Sequence, residues 1–84
     1  MDDWRDQKFD TAFNNAYHNI NVRRQTDTSF SIDTLSDILR TEYVRDGIIG
    51  DRSEALDISI SAIIAAYETY LNEWKQELMD TTPN

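Results

Sequence analysis

Carboxylates and a single imidazole are the side chains with the most potential for chemistry in this chain of 84 residues. Asp3, Asp6 and Asp10 follow one another at steps of three and four, which puts them on one face of a helix. Carboxylates alone can hold a loosely hydrated Mg²⁺ or Ca²⁺. Acidic side chains near the start of a helix also interact favourably with the helix dipole, and this is the stronger explanation. We therefore predict no metal site.

The other chemical side chains lack the partners that catalysis requires. His18 is the only histidine, and no second ligand stands at the spacing of a zinc or di-iron site. The chain has no cysteine, and none of its serines lies in a G-x-S-x-G nucleophile elbow. The segment G-I-I-G at 47–50 lacks the Lys-Ser/Thr pair of a phosphate-binding loop. We expect no enzyme activity and no cofactor.

Charge and composition indicate a folded, soluble chain. The net charge is −8, but 39% of the residues are hydrophobic, which is too many for a disordered segment. Residues 53–84 contribute −5 of this charge, whereas five of the eight basic residues lie between positions 23 and 52. The first twenty residues contain no continuous apolar run, so we expect neither a secretion signal nor a membrane span. We expect the protein to be cytoplasmic.

A stripe of apolar residues, with steps of three and four from Phe9 onward, predicts a first helix over residues 3–20. Its members are Trp4, Phe9, Ala12, Phe13, Ala16, Tyr17 and Ile20. The period is lost in residues 21–30, which are rich in Asn, Thr, Ser and Asp and are predicted to form a connector.

A second helix is predicted over residues 31–46. Ser31 is a suitable N-cap, and Phe30 and Leu35 have the spacing of a hydrophobic staple around it. Glycine can adopt the left-handed conformation that closes a helix, so Gly47 predicts its end. The apolar pair that follows, Ile48 and Ile49, is predicted to plug one end of the core.

A third helix is predicted over residues 51–78, starting at a capping box formed by Asp51 and Glu54. Its main stripe comprises Leu56, Ile60, Ile63, Ile64, Tyr67, Leu71, Trp74 and Leu78. A second face of apolar or small residues comprises Ile58, Ala62, Ala65, Ala66 and Thr69. Two such faces suit a central helix, and the whole pattern predicts an all-α fold, a small three-helix bundle of antiparallel helices in a single domain over residues 1–84.

Helix 3 is predicted to exceed helix 2 by about twelve residues, or about 18 Å, so helix 1 or another chain must cover its C-terminal part. This end is the best candidate for an interface. The residues concerned are Tyr67, Tyr70, Leu71, Trp74 and Leu78. Burial in the core of the bundle itself is the alternative for the aromatic members.

The sequence Arg52-Ser53-Glu54, followed by Ile60, Ile63 and Ile64, resembles the start of the second helix in ribbon-helix-helix DNA-binding proteins. The resemblance covers about half of the chain. It implies a strand over residues 22–30 that pairs across a dimer and enters the major groove. It also implies contacts to DNA from Arg23, Arg24 and Arg52.

Three functional hypotheses follow. The leading one is a non-enzymatic regulatory or accessory protein that binds another protein or itself, for which a homodimer is plausible. The second is the ribbon-helix-helix regulator, the only hypothesis with a nucleic acid as ligand. The third is an acidic inhibitor that mimics nucleic acid, suggested by the charge of residues 53–84.

Overall fold

The computed structural model describes residues 3–48 and 53–81, and these form three α-helices. The helices are α1 (Trp4–Thr26), α2 (Ile32–Ile48) and α3 (Glu54–Thr81). Within the described ranges no residue is in a strand, which confirms the predicted all-α fold. None of these helices is both long and apolar enough to cross a membrane. The predicted core plug at Ile48 and Ile49 lies outside the described side chains.

The first helix continues to Thr26, six residues past its predicted end, so the predicted connector over residues 21–30 was wrong for 21–26 and right for 27–30. The Thr26 hydroxyl donates a hydrogen bond to the Val22 carbonyl at 2.9 Å, which keeps this polar side chain compatible with the helix. The Asp27 amide donates to the Arg23 carbonyl at 2.8 Å and closes the last turn. Polar composition alone does not end a helix that contains neither glycine nor proline.

The start of α2 is as predicted, but its end is not. The Ser31 hydroxyl oxygen accepts a hydrogen bond from the Thr34 amide at 3.2 Å, so Ser31 is the N-cap. Phe30 and Leu35 belong to the same buried cluster, as a hydrophobic staple requires. The helix continues through Gly47, which does not have a positive φ. Gly47 is therefore not the left-handed residue that was predicted to end α2.

The third helix starts three residues later than predicted and has 28 residues, against 17 for α2. Its N-cap is Ser53, whose hydroxyl oxygen accepts a hydrogen bond from the Leu56 amide at 3.1 Å. The predicted capping residue Asp51 lies outside the described residues. The greater length of the third helix is confirmed.

Helix α3 is the central element, because α1 and α2 each pack on it and have no close backbone approach to each other in the described ranges. Arg5 near the start of α1 pairs with Glu54 at the start of α3, whereas Arg24 pairs with Glu77 near its end. Helix α1 therefore runs parallel to α3. Ala62 and Ala66 of α3 are fully buried and are small enough to permit close packing of a neighbouring helix.

Helix α2 runs antiparallel to α3 and covers its C-terminal half. Phe30, just before α2, stacks on Trp74, and Tyr43 near the other end bonds to Glu68. Consecutive helices thus alternate in direction, as predicted. The main core lies between α2, α3 and the last turns of α1, with Leu35 at 0% exposure in its middle. Its buried members are Ile20, Phe30, Leu35, Leu39, Tyr70, Leu71 and Trp74.

Candidate functional site

Arginines and aromatic rings meet where the C-terminal ends of α1 and α3 lie side by side. The Arg24 guanidinium carbon is 4.3 Å from the centre of the Trp74 ring, and that of Arg23 is 4.7 Å from the centre of the Phe30 ring. The Phe30 and Trp74 rings stack on each other with centres 5.9 Å apart. Tyr70 completes this group, which we call the arginine–aromatic cluster, by meeting Trp74 edge-on at 6.1 Å.

Arg24 links the cluster to α3 by charge as well as by stacking. One guanidinium nitrogen donates to Glu77 at 3.0 Å and lies 3.5 Å from the Tyr70 hydroxyl. These hydrogen bonds, that to Glu77 first, raise the pKa of Arg24 above its ordinary value. The Tyr70 hydroxyl donates in turn to the Asn21 side-chain oxygen at 2.9 Å. The Arg24 head group is therefore committed to contacts within the chain.

A polar pocket of about 310 Å³ lies beside Arg24, along the seam between α1 and α3. It is lined by Tyr17, Asn21, Arg24, Gln25, Tyr70, Glu73 and Glu77. The Tyr17 hydroxyl donates to Glu73 at 2.7 Å across the pocket. The polar side chains of the pocket thus hydrogen-bond to one another and link α1 to α3. They do not include a nucleophile hydrogen-bonded to a general base.

The Tyr17–Glu73 bond makes stability depend on pH in the alkaline range. This hydrogen bond, with burial and the charge of Glu73 added, raises the pKa of Tyr17 from 10.0 to about 12. Between these values the folded chain keeps a proton that the unfolded chain releases, so the stabilisation is complete below pH 10 and disappears as the pH rises through about 12. We expect Glu73→Gln to lower the pKa of Tyr17 toward 10.0. The titration of Tyr17 is measured by phenolate absorbance, after subtraction of the titration curve of the Tyr17→Phe variant. An unchanged titration in Glu73→Gln would contradict the bond.

The stacking of Arg24 on Trp74 predicts an asymmetric response to substitution. We expect Arg24→Ala to lower the free energy of unfolding by about 1–2 kcal/mol through loss of the cation–π contact and the hydrogen bonds. Arg24→Lys should restore only part of this, because lysine keeps the charge but not the planar group. The matched control is Arg40→Ala, since the Arg40 side chain is 78% exposed and pairs with Asp37 on its own helix. Equal losses at both positions, by urea unfolding, would refute a special role for Arg24.

An apolar groove of about 360 Å³ opens beside Trp74, between the start of α2 and the end of α3. It is lined by Phe30, Ser31, Ile32, Asp33, Trp74 and Leu78. Leu78 is 50% exposed and Ile32 is partly exposed, whereas Phe30 and Trp74 are buried and form the rigid part of the wall. Met79, next along α3, is 69% exposed. We refer to this feature as the apolar groove.

The predicted interface residues divide between the core and this groove. Tyr70, Leu71 and Trp74 are between 4% and 8% exposed and are covered by the chain itself. Tyr67 is partly buried against the same core cluster. The core alternative therefore describes most of the set, and Leu78 is the member with a large exposed surface.

The structure does not support the arrangement that DNA binding was expected to use. Residues 22–26 are helical, so the strand implied by the ribbon-helix-helix resemblance is wrong there. Arg23 is 3.7 Å from Asp27 and stacks on Phe30, and Arg24 is held by Glu77. The third proposed contact, Arg52, lies outside the described residues.

The acidic residues at the start of α1 act locally. The Asp3 carboxylate accepts a hydrogen bond from the Arg5 amide at 2.9 Å and caps the helix. Across residues 3–48 and 53–81, no three His, Asp or Glu side chains come together as metal ligands.

The groove residues Ile32 and Asp33 were not predicted as a site. Their signal was weak, because an N-cap followed by an apolar residue is an ordinary helix start.

No protein-family model, curated protein sequence or solved structure matches the chain. The geometry of the cluster, the pocket and the groove is therefore the basis for the functional argument. Of these three, only the groove presents apolar surface that the chain leaves partly uncovered.

Proposed function

We propose that this chain is a non-enzymatic protein that acts by binding another protein in the apolar groove. The observation that carries the proposal is the half-exposed Leu78 beside a groove whose wall contains Phe30 and Trp74. A half-exposed leucine at the rim of an apolar groove has side-chain area that a partner can still bury, and this burial favours binding. An amphipathic helix is a natural ligand, since its apolar face fits a groove between two helices.

Rigidity of the groove supports this function. Trp74 is fixed by Phe30, by the edge of Tyr70 and by Arg24, so its ring does not have to be ordered when a partner arrives. A site that is already ordered avoids about 0.5–1.5 kcal/mol of entropy cost for each large side chain. The arginine–aromatic cluster thus acts as the support of the groove.

Three other exposed apolar residues, Tyr43, Val44 and Trp4, are less suited to binding. Tyr43 is 49% exposed, but its hydroxyl donates to Glu68, and its neighbour Val44 lines none of the pockets described above. Trp4 is 49% exposed and lines a cavity of about 500 Å³. Most of the other side chains that line this cavity are polar. Trp4 and Trp74 lie at opposite ends of parallel helices, about 30 Å apart by helix rise.

This separation allows a test with an internal control. The probe is a synthetic helical peptide with leucine at one face and glutamine elsewhere. We expect the Trp74 indole signal and the Ile32 and Asp33 amide signals to shift in nuclear magnetic resonance spectra, while the Trp4 indole signal stays in place. Leu78→Ser should weaken binding about tenfold, because burying a leucine side chain contributes about 1.5–3 kcal/mol. Val44→Ser, on an equally exposed apolar residue, should change nothing.

The same spectra can contradict the proposal. Shifts of the Trp4 signal alone would place the binding surface at the other end of the bundle. Equal weakening by Leu78→Ser and Val44→Ser would indicate unspecific attraction to exposed apolar side chains.

A further inference from the structure

We infer that the partner presents a basic amphipathic helix to the apolar groove, an inference that rests on the proposed function and adds the charge of the partner. The whole chain carries a net charge of −8, and the two segments that form the groove carry an even larger excess of negative charge per residue. Residues 30–39 and 68–81 together contain six carboxylates and one lysine, Lys75. Of these carboxylates, Asp33 lines the groove, whereas Glu73 and Glu77 line the polar pocket between α1 and α3.

Arginines pair with two of these six carboxylates, Glu77 with Arg24 and Asp37 with Arg40, and the other four have no ion-pair partner among the described residues. Arg24 is bound to Glu77, and Arg23 pairs with Asp27. Asp33 lines the groove itself and has no ion-pair partner among the described residues. A cation on the partner can therefore approach Asp33 without displacing an existing pair.

The charge also decides against a second copy of this chain as the occupant. Two copies in contact through the groove would bring together two unpaired Asp33 carboxylates and two chains that each carry a net charge of −8. Like charges facing each other lower affinity and slow association. A basic helix has higher affinity and faster association, since its apolar stripe fills the groove and its lysines or arginines lie over the acidic edges of the groove.

Three peptides with the same leucine positions and with lysine, glutamine or glutamate elsewhere test the inference against the full-length chain. At low salt we expect affinity to fall in that order, with at least a tenfold difference between the lysine and glutamate peptides, and the difference should shrink in high salt. Asp33→Asn should weaken the lysine peptide about threefold, a loss of the size expected for one partly exposed pair. Asp10→Asn, on an exposed carboxylate of α1, is the matched control and should have no effect.

Each other outcome overturns the inference in a distinguishable way. If the glutamine peptide moves the Trp74 signal and the lysine peptide binds no tighter, the charge argument fails and the proposed function stands. If lysine-peptide binding is lost in salt but is unaffected by Leu78→Ser, the acidic surface acts without the groove, as a nucleic-acid mimic would. Concentration-dependent dimerisation that shifts the Trp74 signal without peptide would make the occupant a second copy. If no peptide moves the Trp74 signal, both proposals fail.

Discussion

Replacing Trp74 with alanine should lower the free energy of unfolding by about 3–5 kcal/mol, the usual cost of removing a large aromatic side chain from a core. Trp74 is 8% exposed and joins all three helical segments, through Phe30 before α2, Tyr70 on α3 and Arg24 on α1. Domains of this size are stable by only about 5–15 kcal/mol, so the variant should lose much of its helix content at ambient temperature. Circular dichroism during urea unfolding measures the loss.

Trp4 provides the matched control for this prediction. Trp4 is 49% exposed, and the centre of its ring is 5.3 Å from the guanidinium carbon of Arg5, the next residue on α1. Trp4→Ala should cost at most about 1 kcal/mol, the value of an exposed cation–π contact. If both tryptophan variants lost the same free energy, the central position of Trp74 in the core would be refuted.

Replacing Leu35 with alanine should lower the free energy of unfolding by about 2–5 kcal/mol. Leu35 has 0% exposure and lies in the buried cluster between α2 and α3. The removed methyl groups leave a cavity that the surrounding helices can only partly fill. Because Leu35 does not line the apolar groove, peptide affinity per folded molecule should stay unchanged, which separates stability from binding.

Val44→Ala is the corresponding surface substitution on α2. Val44 is 56% exposed, so its loss should stay within about 0.5 kcal/mol in the same urea experiment. A small effect at Leu35, comparable to that at Val44, would mean that α2 does not pack on α3 as described.

The number and order of the helices could be predicted because three separate stretches of the chain carry apolar residues at steps of three and four. The Ser31 cap was also predictable, since a hydroxyl before an apolar run has few other roles. The end of α1 was not predicted because residues 21–26 are polar apart from Val22, and the backbone hydrogen bonds that make them helical do not appear as a sequence pattern. Gly47 was misread because glycine permits a left-handed turn without requiring one.

The candidate site was predictable only in pieces. Arg24 was assigned to a DNA-binding hypothesis and Trp74 to a protein interface, yet the two side chains stack on each other. Their contact depends on the parallel alignment of α1 and α3, which joins residues 50 positions apart. The opening between Ile32 and Leu78 likewise depends on where α2 begins relative to α3, which local patterns do not encode.

Site-specific photo-cross-linking in the cells that make this protein tests the central claim most directly. A photoreactive side chain at Met79, which is 69% exposed and directly follows the groove residue Leu78 in the chain, should give an adduct with another protein, and Leu78→Ser should strongly lower its yield. The same group at Val44, also exposed but away from the groove, should give no such adduct. Adducts of equal yield from both positions, or adducts only between two copies of this chain, would contradict a groove that binds a separate protein.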